Sequence, residues 1–190
     1  MARPPSIDEA ELLDALIAVF RDKGFDGTAI GDLSAASGLR RASLYHRYPD
    51  GKEGMAEAVL AEVGRRFRWI LRPMGEDEDL ARGMDETARR LGDFYGAGAL
   101  SCVLDTMTLA GAPEKVRDQA RALAKTWIDV MADASRRAGR APDEAVRAAR
   151  DAFLRIEGAL VLARVLGDTS AFVESVALMP SILAPGPAER

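Results

Sequence analysis

Apolar residues recur along most of this chain at intervals of three and four, the spacing that lines one face of an α-helix. Leu13, Leu16, Ile17 and Phe20 set the pattern. Ser6-Ile7-Asp8-Glu9, after Pro4 and Pro5, reads as a capping box, and Gly24 with Phe25 reads as a C-terminal stop. The first helix is therefore predicted over 6–23. Thr28 is placed to cap a short second helix carrying Ile30 and Leu33. Ser37-Gly38-Leu39 breaks that helix, and a third short one is predicted over 40–48. Pro49-Asp50-Gly51 reads as a turn. Asp50 and Glu53 open a fourth helix that Pro73 is expected to end. Further helices are predicted near 77–95, 99–110, 113–138, 142–166 and 170–183. Pro113 and Pro142 suit first-turn positions, and Gly111, Gly139 and Gly167 suit ends. No period-two alternation of β-branched residues appears, so the expected class is all-α, with about nine helices.

Composition narrows the possible functions. Of 190 residues, 48% are hydrophobic and 29% charged, which is a globular balance. The opening residues lack the apolar core of a signal peptide, and no apolar run approaches the ~20 residues of a membrane span. A cytoplasmic protein without a membrane partner is expected. The single cysteine, Cys102, forms no disulfide within the chain, and the single histidine, His46, precludes paired-histidine metal motifs. No metal and no cofactor are expected. The net charge of −4 argues against a protein that coats nucleic acid with basic charge, but leaves room for a local patch.

Such a patch lies over 40–52. It holds Arg40, Arg41, Arg47 and Lys52 against Asp50 alone, so it carries +3 while the rest of the chain carries −7. Leu33, Leu39 and Leu44 are spaced to pack two short helices on each other and on the first, with Gly38 in the turn between. A helix this short needs such support. The third helix is then free to present Arg40, Arg41, Ala42, Ser43, Tyr45 and His46. Arginine reads guanine edges in the major groove, hydroxyls suit phosphate oxygens, and Lys52 at the start of the fourth helix suits a phosphate. Thr28, Arg40, Arg41, Ala42, Ser43, Tyr45, His46 and Lys52 are the candidate DNA-binding residues.

The stretch FRDKGFDGTAIGDLSAASGLRRASLYHRYPDGKEGM resembles the DNA-binding domain of the TetR family of transcriptional regulators. The resemblance rests on Gly24-Phe25 before Thr28, Leu44-Tyr45-His46, Tyr48 and Lys52-Glu53. Three positions depart from the family pattern. Arg40 stands where a capping Ser or Thr is usual, costing about 1 kcal/mol of capping energy. Ser34 replaces a usual Ala, and Gly51 is an added turn residue, as in a subgroup of the family. The resemblance implies a helix-turn-helix domain over 1–53 and a helical ligand-binding and dimerisation domain over 54–184; the composition of 185–190 reads as a disordered tail. The resemblance further implies a homodimer that binds a palindromic operator in double-stranded DNA and is released when a small-molecule effector binds. About 34–36 Å between half-sites makes a small splay of the recognition helices sufficient for release.

Within the second domain, Trp69, Phe94, Tyr95, Cys102, Asp105, Thr106, Met107, Trp127 and Met131 are candidate pocket residues; ordinary core is the alternative reading of any one of them. Asp105, in an apolar stretch, either meets a ligand or caps and faces solvent. Cys102 is either a reactive sensor or an inert buried thiol, and the lack of a basic residue within four positions favours the latter. Apolar stripes on the last two helices, among them Phe153, Ile156, Leu160, Phe172, Val176 and Met179, are expected to form the dimer interface. Two other classes compete. An enzyme would have to build its catalytic device around His46, on the face assigned to DNA, and no catalytic residue is assigned. A partner-binding helical protein without DNA affinity would have no use for the Leu44-Tyr45-His46 and Lys52 pattern.

Overall fold

The computed structural model describes residues Ile7–Pro185; the sequence expectations for Ser6 and for 186–190 fall outside them. Nine α-helices occur among the described residues, with no strand: α1 (Glu9–Gly27), α2 (Ile30–Ser37), α3 (Arg41–Arg47), α4 (Gly51–Glu76), α5 (Leu80–Phe94), α6 (Val103–Thr106), α7 (Glu114–Arg137), α8 (Pro142–Leu166) and α9 (Ser170–Leu183). No helix among them is long and apolar enough to cross a membrane.

The chain divides into two compact units. The first comprises the chain through Gly64 together with Val103–Arg121; the second comprises Arg65–Cys102 and the chain from Ala122 onward. The first unit thus recruits α6 and the start of α7 from far along the sequence. Leu12, Leu16 and Phe20 of α1, Leu33 of α2, Leu44 of α3 and Met55, Val59 and Leu60 of α4 are all fully buried in this unit. The Thr106 hydroxyl donates to the Phe20 carbonyl at 3.2 Å. Helix α1 bends at Gly24 (φ 67°, ψ −178°), a conformation that only glycine holds readily, and Phe25 folds back to stack on Phe20 at 6.3 Å.

In the second unit α8 and α9 pack along their small and apolar faces. Ala145, Ala149, Ala152, Ile156, Ala159, Leu160 and Ala163 of α8 are buried, as are Phe172, Val176, Met179 and Leu183 of α9. Arginines close the helix ends. Arg137 donates to the carbonyls of Met74, Gly75 and Asp77 at the end of α4. Arg140 does the same for Ile182, Leu183 and Ala184 at the end of α9.

Several boundaries differ from the sequence reading. Asp8 caps α1, its carboxylate accepting the Glu11 amide at 2.8 Å. Pro73 lies inside α4 and does not end it. A proline there deprives the Trp69 carbonyl of its helical donor, and Arg90 supplies a replacement at 2.6 Å. The helix expected over 99–110 shrinks to Val103–Thr106. Gly96 and Gly98 take positive φ in a 3-10 turn ahead of it, and Thr106 is tied sideways to α1.

Candidate nucleic-acid interface and sensor core

The helix-turn-helix is held by short-range bonds that sequence pattern only partly disclosed. Gly38 takes φ 67° and ψ 1° to turn the chain between α2 and α3. Ser34, a departure from the family pattern, closes this turn by donating to the Leu39 carbonyl at 2.6 Å, and Ser37 donates to the Leu33 carbonyl at 2.7 Å. Thr28 does not cap α2: it is buried, and its hydroxyl donates to the Gly24 carbonyl at 2.6 Å. Asp32 takes over the capping by accepting the Ala29 amide at 2.9 Å. Lys23 bonds the same carboxylate at 2.7 Å, and this contact, then the amide, holds the Asp32 carboxyl below the usual range.

Helix α3 is anchored by one fully buried side chain, Leu44. Around it Arg40, Arg41, Ala42, Ser43, Tyr45 and His46 are exposed. The side chains of Arg40, Arg41, Ser43, Tyr45 and His46 have no hydrogen-bond or ion-pair partner among the described residues. Arg40 precedes the helix without making a capping bond, as the missing Ser or Thr implies. Arg47 and Tyr48 instead face the start of α1. Arg47 pairs with Glu9 at 3.2 Å, and the Tyr48 hydroxyl donates to the other Glu9 oxygen at 3.2 Å. Burial and then the Glu9 charge push the Tyr48 phenol up to about 12.

Lys52 departs from its expected phosphate role. Its ammonium donates to the carbonyls of Phe25 at 2.9 Å and Thr28 at 3.0 Å and lies 4.4 Å from the centre of the Phe25 ring. It is a strut from the start of α4 to the α1–α2 turn. Sequence position could not reveal this, because the two carbonyls reach Lys52 only after the chain folds back on itself.

The expected pocket residues separate. Phe94, Tyr95, Cys102, Trp127 and Met131 lie in the second unit, where Phe67, Phe153 and Phe172 join them. Phe67 meets Phe94 at 5.4 Å and Trp127 at 5.0 Å. Tyr95 meets Phe172 at 5.7 Å, and Trp127 meets Phe153 at 5.2 Å. The Tyr95 hydroxyl lies 3.5 Å from the Cys102 sulfur, both buried. The Trp127 indole N–H is fully buried and has no acceptor among the described residues. Trp69 is not in this cluster. It is 55% exposed, stacked under Arg90 at 4.0 Å, and lines a shallow cleft of about 320 Å³ with Arg72, Pro73 and Glu76. Helical phase decides this: Phe67, two residues earlier, takes the inward direction. Asp105, Thr106 and Met107 belong to the first unit, Thr106 and Met107 in its core and Asp105 half-buried.

The interface stripe also needs correction. Ile156, Leu160, Phe172, Val176 and Met179 are buried within their own unit, and Phe153 is half-buried against Trp127. The apolar residues left exposed on α8 are Leu154, Val161, Leu162, Val165 and Leu166, and on α9 Val173 and Leu178. A helix with apolar residues on more than one face gives no sequence signal for which face its own chain will cover.

A buried leucine holding a short, exposed, cationic helix across a glycine turn defines a helix-turn-helix DNA-binding regulator. Comparison with known proteins agrees and narrows the class. Residues 12–59 match the family described as bacterial regulatory proteins, tetR family. Residues 78–177 match the C-terminal domain described as transcriptional regulator LmrA/YxaF-like. The chain belongs to the TetR family and is a transcriptional regulator, not an enzyme. It is 24% identical over 186 residues to the HTH-type transcriptional regulator LmrA of Bacillus subtilis (strain 168), covering 91% of this chain and 95% of that one. A TetR transcriptional regulator from Legionella pneumophila has the same fold, with a TM-score of 0.82 at 17% identity over 94% of this chain and 98% of the other. The TetR-family regulator CifR, solved as a cysteine mutant with 26 bp double-strand operator DNA, superposes with a TM-score of 0.76 at 23% identity, over 94% and 98% of the two chains.

Proposed function

We propose that this chain is a dimeric cytoplasmic repressor that binds a palindromic operator through α3 and leaves it when a small molecule enters the aromatic core of the second unit. The observation that carries the reading is the unpartnered polar surface of α3. Cations and hydroxyls without intramolecular bonds are available for phosphates and base edges, and Leu44 keeps the helix in place beneath them. The operator complex of CifR supports it.

On the sensor side, the buried Trp127 N–H supports an effector that is mostly apolar and carries a hydrogen-bond acceptor. Burying a donor without an acceptor costs about 1–3 kcal/mol, which such a ligand would recover. Two copies are assigned to pair through the exposed apolar faces of α8 and α9, which would remove Val165 and Leu166, each 70% exposed, from water.

The test is a gel-shift series over salt with DNA from upstream of the gene. A retarded complex that weakens steeply with salt is expected. No complex at low salt with any upstream fragment would overturn the reading. A screen for compounds that both dissolve this complex and quench the buried tryptophan tests the effector role, and a Trp127→Phe variant should answer the same compounds more weakly.

A further inference from the structure

Gly31 sits in the first turn of α2 with an ordinary helical backbone, and no turn or positive φ calls for glycine there. What lies over it is Arg41. A methyl group on Gly31 would stand 3.0 Å from Arg41 Nη2 and 4.0 Å from its Cζ, and nothing else comes within 4 Å. Arg41 opens α3, is exposed, and makes no hydrogen bond or ion pair among the described residues. Its guanidinium therefore lies back on α2 because the space a side chain would fill is empty, and no partner draws it there.

We propose that Gly31 is the positioning residue for Arg41, and that Arg41 so placed grips the DNA backbone and does not read a base. A base reader has to project from its helix, clear of its own scaffold, into the groove. A guanidinium resting on the neighbouring helix stays beside the scaffold, within reach of the strand that borders the groove. This revises the expectation that Arg41 reads guanine and leaves Arg40, Ser43 and His46 as the exposed polar side chains of this segment without such a rest, the Tyr45 ring lying against Gly51. The inference rests on the DNA-binding reading above and concerns one contact within it.

Gly31→Ala separates the roles. The backbone accepts alanine, and the only group it would push is the end of a flexible side chain, so the melting temperature should hold or rise. Fluorescence anisotropy with the upstream fragment and with a mixed-sequence duplex of about 21 base pairs gives affinity against salt for the wild type, Gly31→Ala, Arg41→Ala and the double variant. Arg41→Ala should weaken both duplexes by the same factor and reduce the slope of log K against log salt by about 0.9, one phosphate contact. Gly31→Ala should shift slope and affinity the same way, and should add nothing once Arg41 is gone. The inference is overturned if Gly31→Ala binds like the wild type, if it costs as much without Arg41 as with it, or if Arg41→Ala relaxes the preference for the upstream fragment. Absence of wild-type binding would instead overturn the DNA-binding reading itself.

Discussion

Replacing Lys52 with methionine separates the two roles that sequence and structure assign to it. Methionine keeps the apolar stem and removes the ammonium, and with it the bonds to the Phe25 and Thr28 carbonyls at 2.9 and 3.0 Å and the contact with the Phe25 ring at 4.4 Å. A hydrogen bond from a charged group contributes about 1.5–3 kcal/mol, and a ring contact of this kind about 0.5–1 kcal/mol. The side chain is only half-buried, so water compensates part of the loss. The Phe25 carbonyl also keeps the Thr28 amide as a donor at 3.3 Å. A net destabilisation of about 2 kcal/mol remains, equivalent to roughly 4–8 °C in melting temperature for a chain of this size. Thermal unfolding followed by circular dichroism measures it, beside DNA affinity over a salt series. A strut predicts a lower melting temperature and an unchanged salt slope. An unchanged melting temperature with the slope reduced by about 0.9 would show that the ammonium serves a phosphate, and the strut would be refuted.

Other perturbations test the neighbouring features. Gly24→Ala forces a side chain into φ 67°, ψ −178° and sets its methyl 2.7 Å from the Thr106 carbonyl oxygen. A loss of about 2–3 kcal/mol in denaturant titration is expected, and an unshifted midpoint would contradict the described α1 bend. The raised Tyr48 phenol, at about 12, keeps its proton when the unfolded chain has lost it. Its contribution to stability is therefore full below pH 10 and fades as pH rises from about 10 to 12. Tyr48→Phe should flatten that part of the alkaline stability curve and remove the latest phenolate absorbance step; loss of a step near pH 10 instead would refute the raised phenol. Val165→Glu with Leu166→Glu places charge on the assigned pairing face without touching the buried side of α8. Sedimentation should show single chains with native helix content, and an intact dimer would move the interface elsewhere.

Local signals specified the turn and the exposed third helix of the helix-turn-helix, though not the Thr28, Asp32 and Lys52 bonds that brace it. Gly38, the leucine spacing and the cationic run over 40–47 are short-range features, and neighbours along the chain decide what they do: a left-handed turn needs glycine, and a short amphipathic helix needs an apolar anchor on one side. The helical class followed equally from spacing, whereas long-range closure decided the rest. Asp105, Thr106 and Met107 fell to the first unit because the Thr106 hydroxyl meets a carbonyl on α1, a contact between residues far apart in sequence. Lys52 turned inward for the same kind of reason, and Pro73 stayed inside α4 while Arg90 served the carbonyl it left free. Trp69 and the α8–α9 stripes show the limit most directly. Periodicity marks which residues share a face, but which face the chain covers depends on the elements that arrive opposite it, and only packing in three dimensions determines that.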